Sequence, residues 1–237
     1  MRSRLLTLLV ALVGLSGSLS AAAQSGEWLT FSHDAQRSGW ARDEGAFSTV
    51  NAPHLDLRWK TVLPNEPLAL SGLTAALIAR GVPTGTDARN LVIVAGRSNH
   101  LFVLDAEQGT LVWRYDYPQK SPPPGEPNWL CPMGLNATPV IDAAARRVFV
   151  VVADGSVVTL DLRDGRPLRP PTRLVLPFSK VWSLNYTGGV LYTSICAGLQ
   201  SGPFRHRGYR SRYVRASRGA ILFGRRDMGT RWSRSRL

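Results

Sequence analysis

The stretch "VLDAEQGTLVW", Val103–Trp113, decides how the chain folds, because its central motif occurs twice. "LDAEQG" at Leu104–Gly109 returns as "LDLRDG" at Leu160–Gly165, 56 residues later. Two tryptophans, Trp59 and Trp113, stand 54 residues apart. Repeats of this length that contain only short strands and turns indicate the blades of a β-propeller. Two unrelated β-hairpin modules are the alternative interpretation.

Short strand-like runs surround these motifs. "NLVIVAG" (90–96) and "HLFVLD" (100–105) are rich in β-branched and aromatic residues, and a polar turn separates them. "GGVLYTSI" (188–195) starts a further strand after a Gly-Gly turn. Outside the N-terminus no segment has a strong helical period, although "LSGLTAALIA" (70–79) fits either a helix or a strand. We therefore predict an all-β fold.

A second hairpin gives the same indication. Val148–Ala153 and Val157–Leu162 flank Asp154-Gly155, a dipeptide that tight hairpin turns favour because it tolerates positive φ. At the observed repeat spacing, residues 24–200 suffice for a partial propeller of about three to four blades.

The first 23 residues have the three parts of a secretory signal peptide. "MRSR" is a basic start, Leu5–Leu15 is an apolar run, and Ala21–Ala23 is a cleavage site of small residues. The mature chain would begin near Gln24, without a transmembrane segment, and be periplasmic or secreted. An uncleaved membrane anchor is the alternative.

The two cysteines, Cys131 and Cys196, would then lie in an oxidising compartment. They could form one disulfide bridge or remain two buried thiols, and their spacing does not decide between these.

A proline-rich stretch, Tyr117–Gly134, separates two of the repeats. Its prolines cannot occupy a central strand, so we expect a stiff surface loop. Such a loop could carry a binding site or could merely pack between blades.

The quoted stretch resembles the docking motif of pyrroloquinoline-quinone (PQQ) type propellers, in which Asp, Gly and a terminal Trp recur in each blade. Asp105, Gly109 and Trp113 match that motif. Gly109 would allow the tight turn, and Trp113 would stack between neighbouring blades.

The second copy keeps Asp161 and Gly165 but has Arg169 where the motif has Trp. Glu27–Thr61 is similar to the lead-in of that superfamily, and the resemblance as a whole extends over residues 27–200. It implies a secreted bacterial PQQ-repeat β-propeller.

This resemblance implies two function classes. One is a non-catalytic propeller that binds a protein or small-molecule partner through its face loops. The other is the N-terminal part of a quinoprotein dehydrogenase, which would use PQQ with Ca²⁺ to oxidise an alcohol or a sugar. The adjacent cysteines of such dehydrogenases are absent, and no position matches their base or calcium ligands, so we assign no catalytic residue. His33, His54, His100 and His206 do not have metal-ligand spacing either.

The positive charge of the chain is concentrated in residues 201–237. From Arg205 onward there are eleven arginines, no lysine and one acid, Asp227, so this part carries +10 of the total +13. A nucleic-acid-binding arm is one interpretation, and it predicts that deleting residues 205–237 abolishes a salt-dependent affinity for DNA. We disfavour it because no folded nucleic-acid module accompanies the arginines.

A displaced reading frame is the interpretation that we favour for this tail. Permitted codons for Arg205–Tyr213, read one base forward, encode Gly-Ile-Val-Ala-Ile-Asp-Leu-Asp-Thr, which is a strand followed by the repeat motif. Met228 before Gly229 must be re-read as Trp in that frame. We therefore expect that the propeller is interrupted by a frameshift near Gly198–Phe204 and that the tail adds no blade. A disordered basic extension is the remaining alternative.

Overall fold

A computed structural model gives the arrangement of most of the chain between residues 26 and 224. Side chains are described for residues 26–65, 72–118, 135, 137–175, 177 and 181–194, and the backbone alone for 213–217 and 220–224. The described part is all-β, as predicted, apart from a short 3-10 helix at Ala52–His54. The expected signal peptide lies outside the described residues.

The strands form three four-stranded antiparallel sheets, each built from strands consecutive in the chain. The first contains β1 (Leu77–Thr84), β2 (Asp87–Gly96), β3 (His100–Asp105) and β4 (Leu111–Asp116). The second contains β5 (Val140–Asp142), β6 (Arg147–Val151), β7 (Ser156–Asp161) and β8 (Thr172–Arg173). The third contains β9 (Asn185–Thr187), β10 (Val190–Tyr192), β11 (Tyr213–Ser217) and β12 (Ala220–Gly224). Each sheet is one blade of a partial propeller.

The ambiguous run 70–79 ends in strand β1, which begins at Leu77. The hairpin predicted around Asp154-Gly155 is present, with Val151 opposite Val157 and with Gly155 at a φ of 81°. Its turn is longer than the tight two-residue form, because Val152 and Ser156 form the last backbone hydrogen bond.

The core consists of the layers between neighbouring sheets. Alternate residues of β2, Leu91 and Ile93, are fully buried against the second sheet in a cluster that includes Val148 and Leu160. A further cluster, around Phe149 of β6, fills the layer between the second and third sheets. The blades are therefore held together by burial of apolar side chains from both faces of the central sheet.

Residues 27–37, which we call the N-terminal strap, run along the free edge of the first strand of each sheet. Trp28 exchanges backbone hydrogen bonds with Ile78 of β1, and the Leu29 carbonyl accepts the amide of Ile141 of β5. The Thr30 hydroxyl donates to the carbonyl of Leu184, the residue before β9, at 2.9 Å. Three exposed edges are thereby covered by one segment, which protects them from pairing with other chains.

The Arg-rich tail differs from our expectation at its centre. We predicted that residues 201–237 add no blade strand, yet β11 and β12 lie in this tail and complete the third sheet through the pair Leu191 and Ala216. The physical reason is local: Tyr213-Val214 and Ile221-Leu222-Phe223 are strong strand formers on either side of a glycine-containing turn. The arginine count concealed this pattern.

Candidate functional site

The first repeat motif forms a junction between the N-terminal segment and the first blade. The indole Nε1 of Trp59 donates to the carbonyl of Ala106 at 2.9 Å, and the Thr61 hydroxyl donates to the carbonyl of Gly109 at 2.6 Å. Gly109 has a φ of 69°, and a Cβ atom there would lie 2.5 Å from Trp59 Cδ2. The ring therefore occupies the space that any larger residue at position 109 would need.

The second repeat motif forms the same junction one blade later. Trp113 donates from Nε1 to the carbonyl of Leu162 at 3.1 Å. Gly165 has a φ of 77°, and its added Cβ would lie 2.6 Å from Trp113 Cε3. The structure thus brings together Trp113 and Gly165, which belong to different blades, as the docking motif implies.

The motif aspartates organise the turns that receive these rings. Asp105 Oδ1 accepts the backbone amides of Glu107 and Gln108 at 2.8 and 3.1 Å. Asp161 Oδ1 accepts the amide of Arg163 at 2.9 Å, and the carboxylate also pairs with the Arg163 guanidinium. The hydrogen bond from Arg163 is the main reason why the pKa of Asp161 lies below its usual value. Both carboxylates are therefore engaged in turn structure.

Arg169, which replaces the motif tryptophan of the second copy, stays on its own blade. Its Nε donates to the Thr159 hydroxyl at 2.9 Å. At the next junction, Arg147 instead bonds the Tyr186 hydroxyl at 2.9 Å and lies over the ring of Phe149, 5.1 Å from its centroid. A cation stacked on aromatic rings thus links the second and third blades.

One face of the propeller, which we call the loop face, gathers the longer connections. It is formed by the β2–β3 and β6–β7 turns and by the segments that precede β5 and β9. The Asn99 carbonyl accepts the amide of Tyr117 at 2.9 Å, and the Gly155 carbonyl accepts the amide of Leu174 at 2.9 Å. The Leu184 amide donates to the Thr138 carbonyl at 3.0 Å. These bonds hold the connections of all three blades on one side.

A polar pair spans the first two blades on the loop face. The Tyr117 hydroxyl donates to Asp154 Oδ2 at 2.8 Å, and Asp154 Oδ1 accepts the amide of Ser156 at 2.8 Å. Tyr117 is the first residue of the proline-rich stretch, so this bond fixes the base of that loop. Sequence reasoning missed the pair, because Asp154 has the role of a turn residue in its own hairpin.

Burial and this bond shift the ionisation of both partners in opposite directions. Burial first, and then the hydrogen bond and charge of Asp154, raise the pKa of Tyr117 to about 12. Burial alone would raise the pKa of Asp154, but the bonds from Tyr117 and Ser156 and the charge of Arg173 lower it overall. The neutral phenol and the carboxylate are thus the favoured forms.

We expect one tyrosine to titrate near the upper end of the alkaline range. The raised pKa of Tyr117 stabilises the fold fully below the ordinary tyrosine value of about 10, and this contribution disappears as the pH rises to about 12. Tyr117→Phe should remove one high-pH transition from the ultraviolet absorbance titration. Tyr115, whose pKa burial also raises, provides the control, because Tyr115→Phe should leave the highest transition in place. An identical titration of Tyr117→Phe and the wild type would contradict the assignment.

The remaining predicted site residues lie elsewhere. Cys131, Cys196 and residues 119–134 of the proline-rich stretch lie outside the described residues. Among the side chains that the structure describes, no three His, Cys, Asp or Glu residues are grouped so that they could hold a metal ion. No helix in the same part of the chain is long and apolar enough to cross a membrane.

Comparison with known families agrees with this geometry. The PQQ_2 family model, described as outer membrane protein assembly factor BamB, matches residues 56–189, which is more than half of the chain. The chain belongs to this PQQ-repeat family. The match includes both glycine–tryptophan junctions, so the PQQ-type propeller that the sequence resemblance implied is confirmed. A search of curated protein sequences finds no match.

Solved structures share the fold of this PQQ-repeat protein. Quinohemoprotein alcohol dehydrogenase ADHIIG from Pseudomonas putida HK5 is 16% identical with a TM-score of 0.58, over 85% of this chain and 27% of that one. The quinohemoprotein alcohol dehydrogenase from Comamonas testosteroni is 15% identical with a TM-score of 0.55, over 90% and 29%. BamB from Moraxella catarrhalis is 22% identical with a TM-score of 0.46, over 70% and 38%. The chain therefore spans well under half of the length of each.

Proposed function

We propose that this PQQ-repeat protein is an extracytoplasmic, non-catalytic binding module that holds a protein partner on its loop face. The observation that supports this proposal is the bond between Tyr117 and Asp154. It anchors the base of the proline-rich loop at the junction of two blades, where a protruding loop has a rigid support. Binding residues commonly lie on loops that a rigid scaffold positions.

An exposed aromatic residue lies on the same face. Trp182, in the segment that precedes β9, is 52% exposed, and its amide donates to the Ser194 carbonyl at 3.0 Å. Tryptophan is among the residues that contribute most to protein–protein binding energy. A fixed aromatic side chain beside a stiff proline-rich loop suits a protein partner better than a buried small-molecule site.

Site-specific photocrosslinking in the producing cells tests this proposal. A photoreactive amino acid at position 182 should give a discrete crosslinked species, because Trp182 lies on the loop face. The matched position is Leu168, which is similarly exposed at 48% but follows the β7–β8 turn on the opposite side. We expect no discrete species from position 168. Equal crosslinking from both positions, or none from position 182 in folded protein, would overturn the proposal.

A part of a quinoprotein dehydrogenase is the second candidate, and the described residues do not fit its cofactor. A calcium ion needs several oxygen ligands, including carboxylates. The carboxylates of Asp105, Asp154 and Asp161 are already engaged by turn amides, Tyr117 or Arg163. The sequence also has only two cysteines, 65 positions apart. No step of alcohol or sugar oxidation is therefore assigned to this part of the chain.

Titration with PQQ and Ca²⁺ separates the two candidates. We expect the full chain to leave the absorbance spectrum of PQQ unchanged and to reduce no dye in the presence of alcohols or sugars. A saturable spectral change that requires Ca²⁺ would favour the dehydrogenase candidate. The crosslinking experiment would retain its own outcome in either case, since it reports on the loop face alone.

An extracytoplasmic location is part of the proposal. It rests on the signal-like first 23 residues, and fractionation of cells that produce the full chain would test it. Recovery of the uncleaved chain from the cytoplasm would contradict it.

A further inference from the structure

The N-terminal segment contains an unpaired counterpart of a blade strand. We propose that residues 55–62 are the outer strand of an incomplete fourth blade, whose other strands come from a separate polypeptide with an open antiparallel sheet edge. This surface is distinct from the loop face and is independent of the function proposed above.

The two tryptophan junctions show that the segment occupies a strand position. Trp59 bonds the carbonyl of Ala106, and Trp113 bonds the carbonyl of Leu162; both acceptors directly follow a motif aspartate. Both rings also lie against the glycine that closes the same turn. Residue 59 is thus placed against the first blade as residue 113 is placed against the second.

The two segments differ in what pairs with them. Trp113 belongs to β4 and lies opposite Val103 of β3. The segment around Trp59 pairs with no strand in the described part of the chain. Leu57 is 80% exposed, whereas Leu111, which stands at the equivalent position in β4, is 54% exposed. The missing neighbour is therefore a strand that plays the part of β3.

The free face of the first sheet points to the same missing blade. Alternate residues of β2, Val92 and Val94, form an apolar cluster with Leu104 on the face that is turned away from the second sheet. Trp59 and Leu63 are the side chains of the N-terminal segment that pack there. A blade built on residues 55–62 would extend this cluster, as neighbouring sheets do at the other two layers.

The occupant follows from the strand inventory. Each described sheet already has four strands, so a second copy offers no three-stranded sheet from that part of the chain. A separate polypeptide with an incomplete antiparallel sheet can instead pair its edge with residues 55–62 by strand addition. Its edge strand should carry apolar side chains opposite Leu57 and Trp59, because Leu104 and Val103 occupy those positions opposite Leu111 and Trp113.

A peptide that copies Asp87–Glu107 is the probe, since it contains the β2–β3 hairpin and presents the edge that β4 normally pairs with. We expect the full chain to bind the labelled peptide saturably in fluorescence anisotropy, with a Kd between about 1 µM and 1 mM. The same peptide with Val103→Pro should not bind, because proline removes a backbone donor and disrupts the strand.

Two matched variants of the chain locate the binding. Leu57→Asp should weaken binding roughly fivefold to tenfold, through loss of a partly buried leucine. Leu111→Asp, at the equivalent position of the complete blade, should leave the affinity within about twofold. Circular dichroism would show that both variants are folded.

Three results would overturn the proposal. The first is no saturable binding up to about 1 mM peptide by the folded chain. The second is equal affinity of the wild type and Leu57→Asp, or equal binding of the proline-containing peptide. The third is a concentration-dependent dimer that Leu57→Asp abolishes, because that result would assign the strand to a second copy.

Discussion

Gly165→Ala is expected to lower the free energy of unfolding by about 3–5 kcal/mol. Gly165 has a φ of 77°, a conformation that costs an L-residue with a Cβ roughly 1–2 kcal/mol. The new methyl group would also lie 2.6 Å from Trp113 Cε3, so the ring must move. Displacement weakens the bond to the Leu162 carbonyl and part of the packing of a large buried side chain, which adds roughly 2–3 kcal/mol.

The backbone contribution can be separated with a matched glycine. Gly85 has a φ of 67°, and no atom lies within 4 Å of its added Cβ. Gly85→Ala should therefore cost only the conformational part, about 1–2 kcal/mol. Urea denaturation of both variants measures the difference. Equal losses of stability would show that docking of Trp113 on Gly165 contributes nothing beyond the backbone conformation.

The blade junctions could be predicted from the sequence because a repeat displays them twice. Asp105, Gly109 and Trp113 recur at a fixed spacing, and glycine at a turn and tryptophan on a strand each have a local physical reason to be there. The pairing of Trp113 with Gly165 follows once the repeats are placed side by side as blades. Repetition thus converts a long-range contact into a pattern that one sequence contains.

Contacts that occur once leave no such pattern. The bond from Tyr117 to Asp154 and the bonds of the N-terminal strap to β1 and β5 join residues that are far apart in sequence. Each depends on how the blades are arranged in space, and the residue types involved also occur in ordinary turns and loops. The strands β11 and β12 were missed for another reason: charge dominated the composition of the tail, while short runs of strand-forming residues lay within it.

Arg37→Met is expected to lower the free energy of unfolding by about 2–3 kcal/mol, because it releases the strap from the third blade. Arg37 Nη1 donates to the Ser183 hydroxyl at 2.7 Å, and Nη2 donates to the carbonyls of Ser183 and Leu184 at 3.2 and 3.3 Å. Burial lowers the pKa of this guanidinium, so its surroundings partly exclude water. Hydrogen bonds from a charged donor in such surroundings contribute about 1.5–3 kcal/mol each, less the cost of desolvating the charge.

Methionine keeps most of the apolar length of the side chain, so Arg37→Met removes mainly the three hydrogen bonds. Arg42→Met is the control, since Arg42 is exposed and stacks on Trp40 at 4.8 Å. It should change stability by less than about 1 kcal/mol. Release of the strap also uncovers the edge of β9, so Arg37→Met alone should aggregate faster on mild heating. Light scattering measures this rate, and equal aggregation of the two variants would show that the strap does not protect the sheet edges.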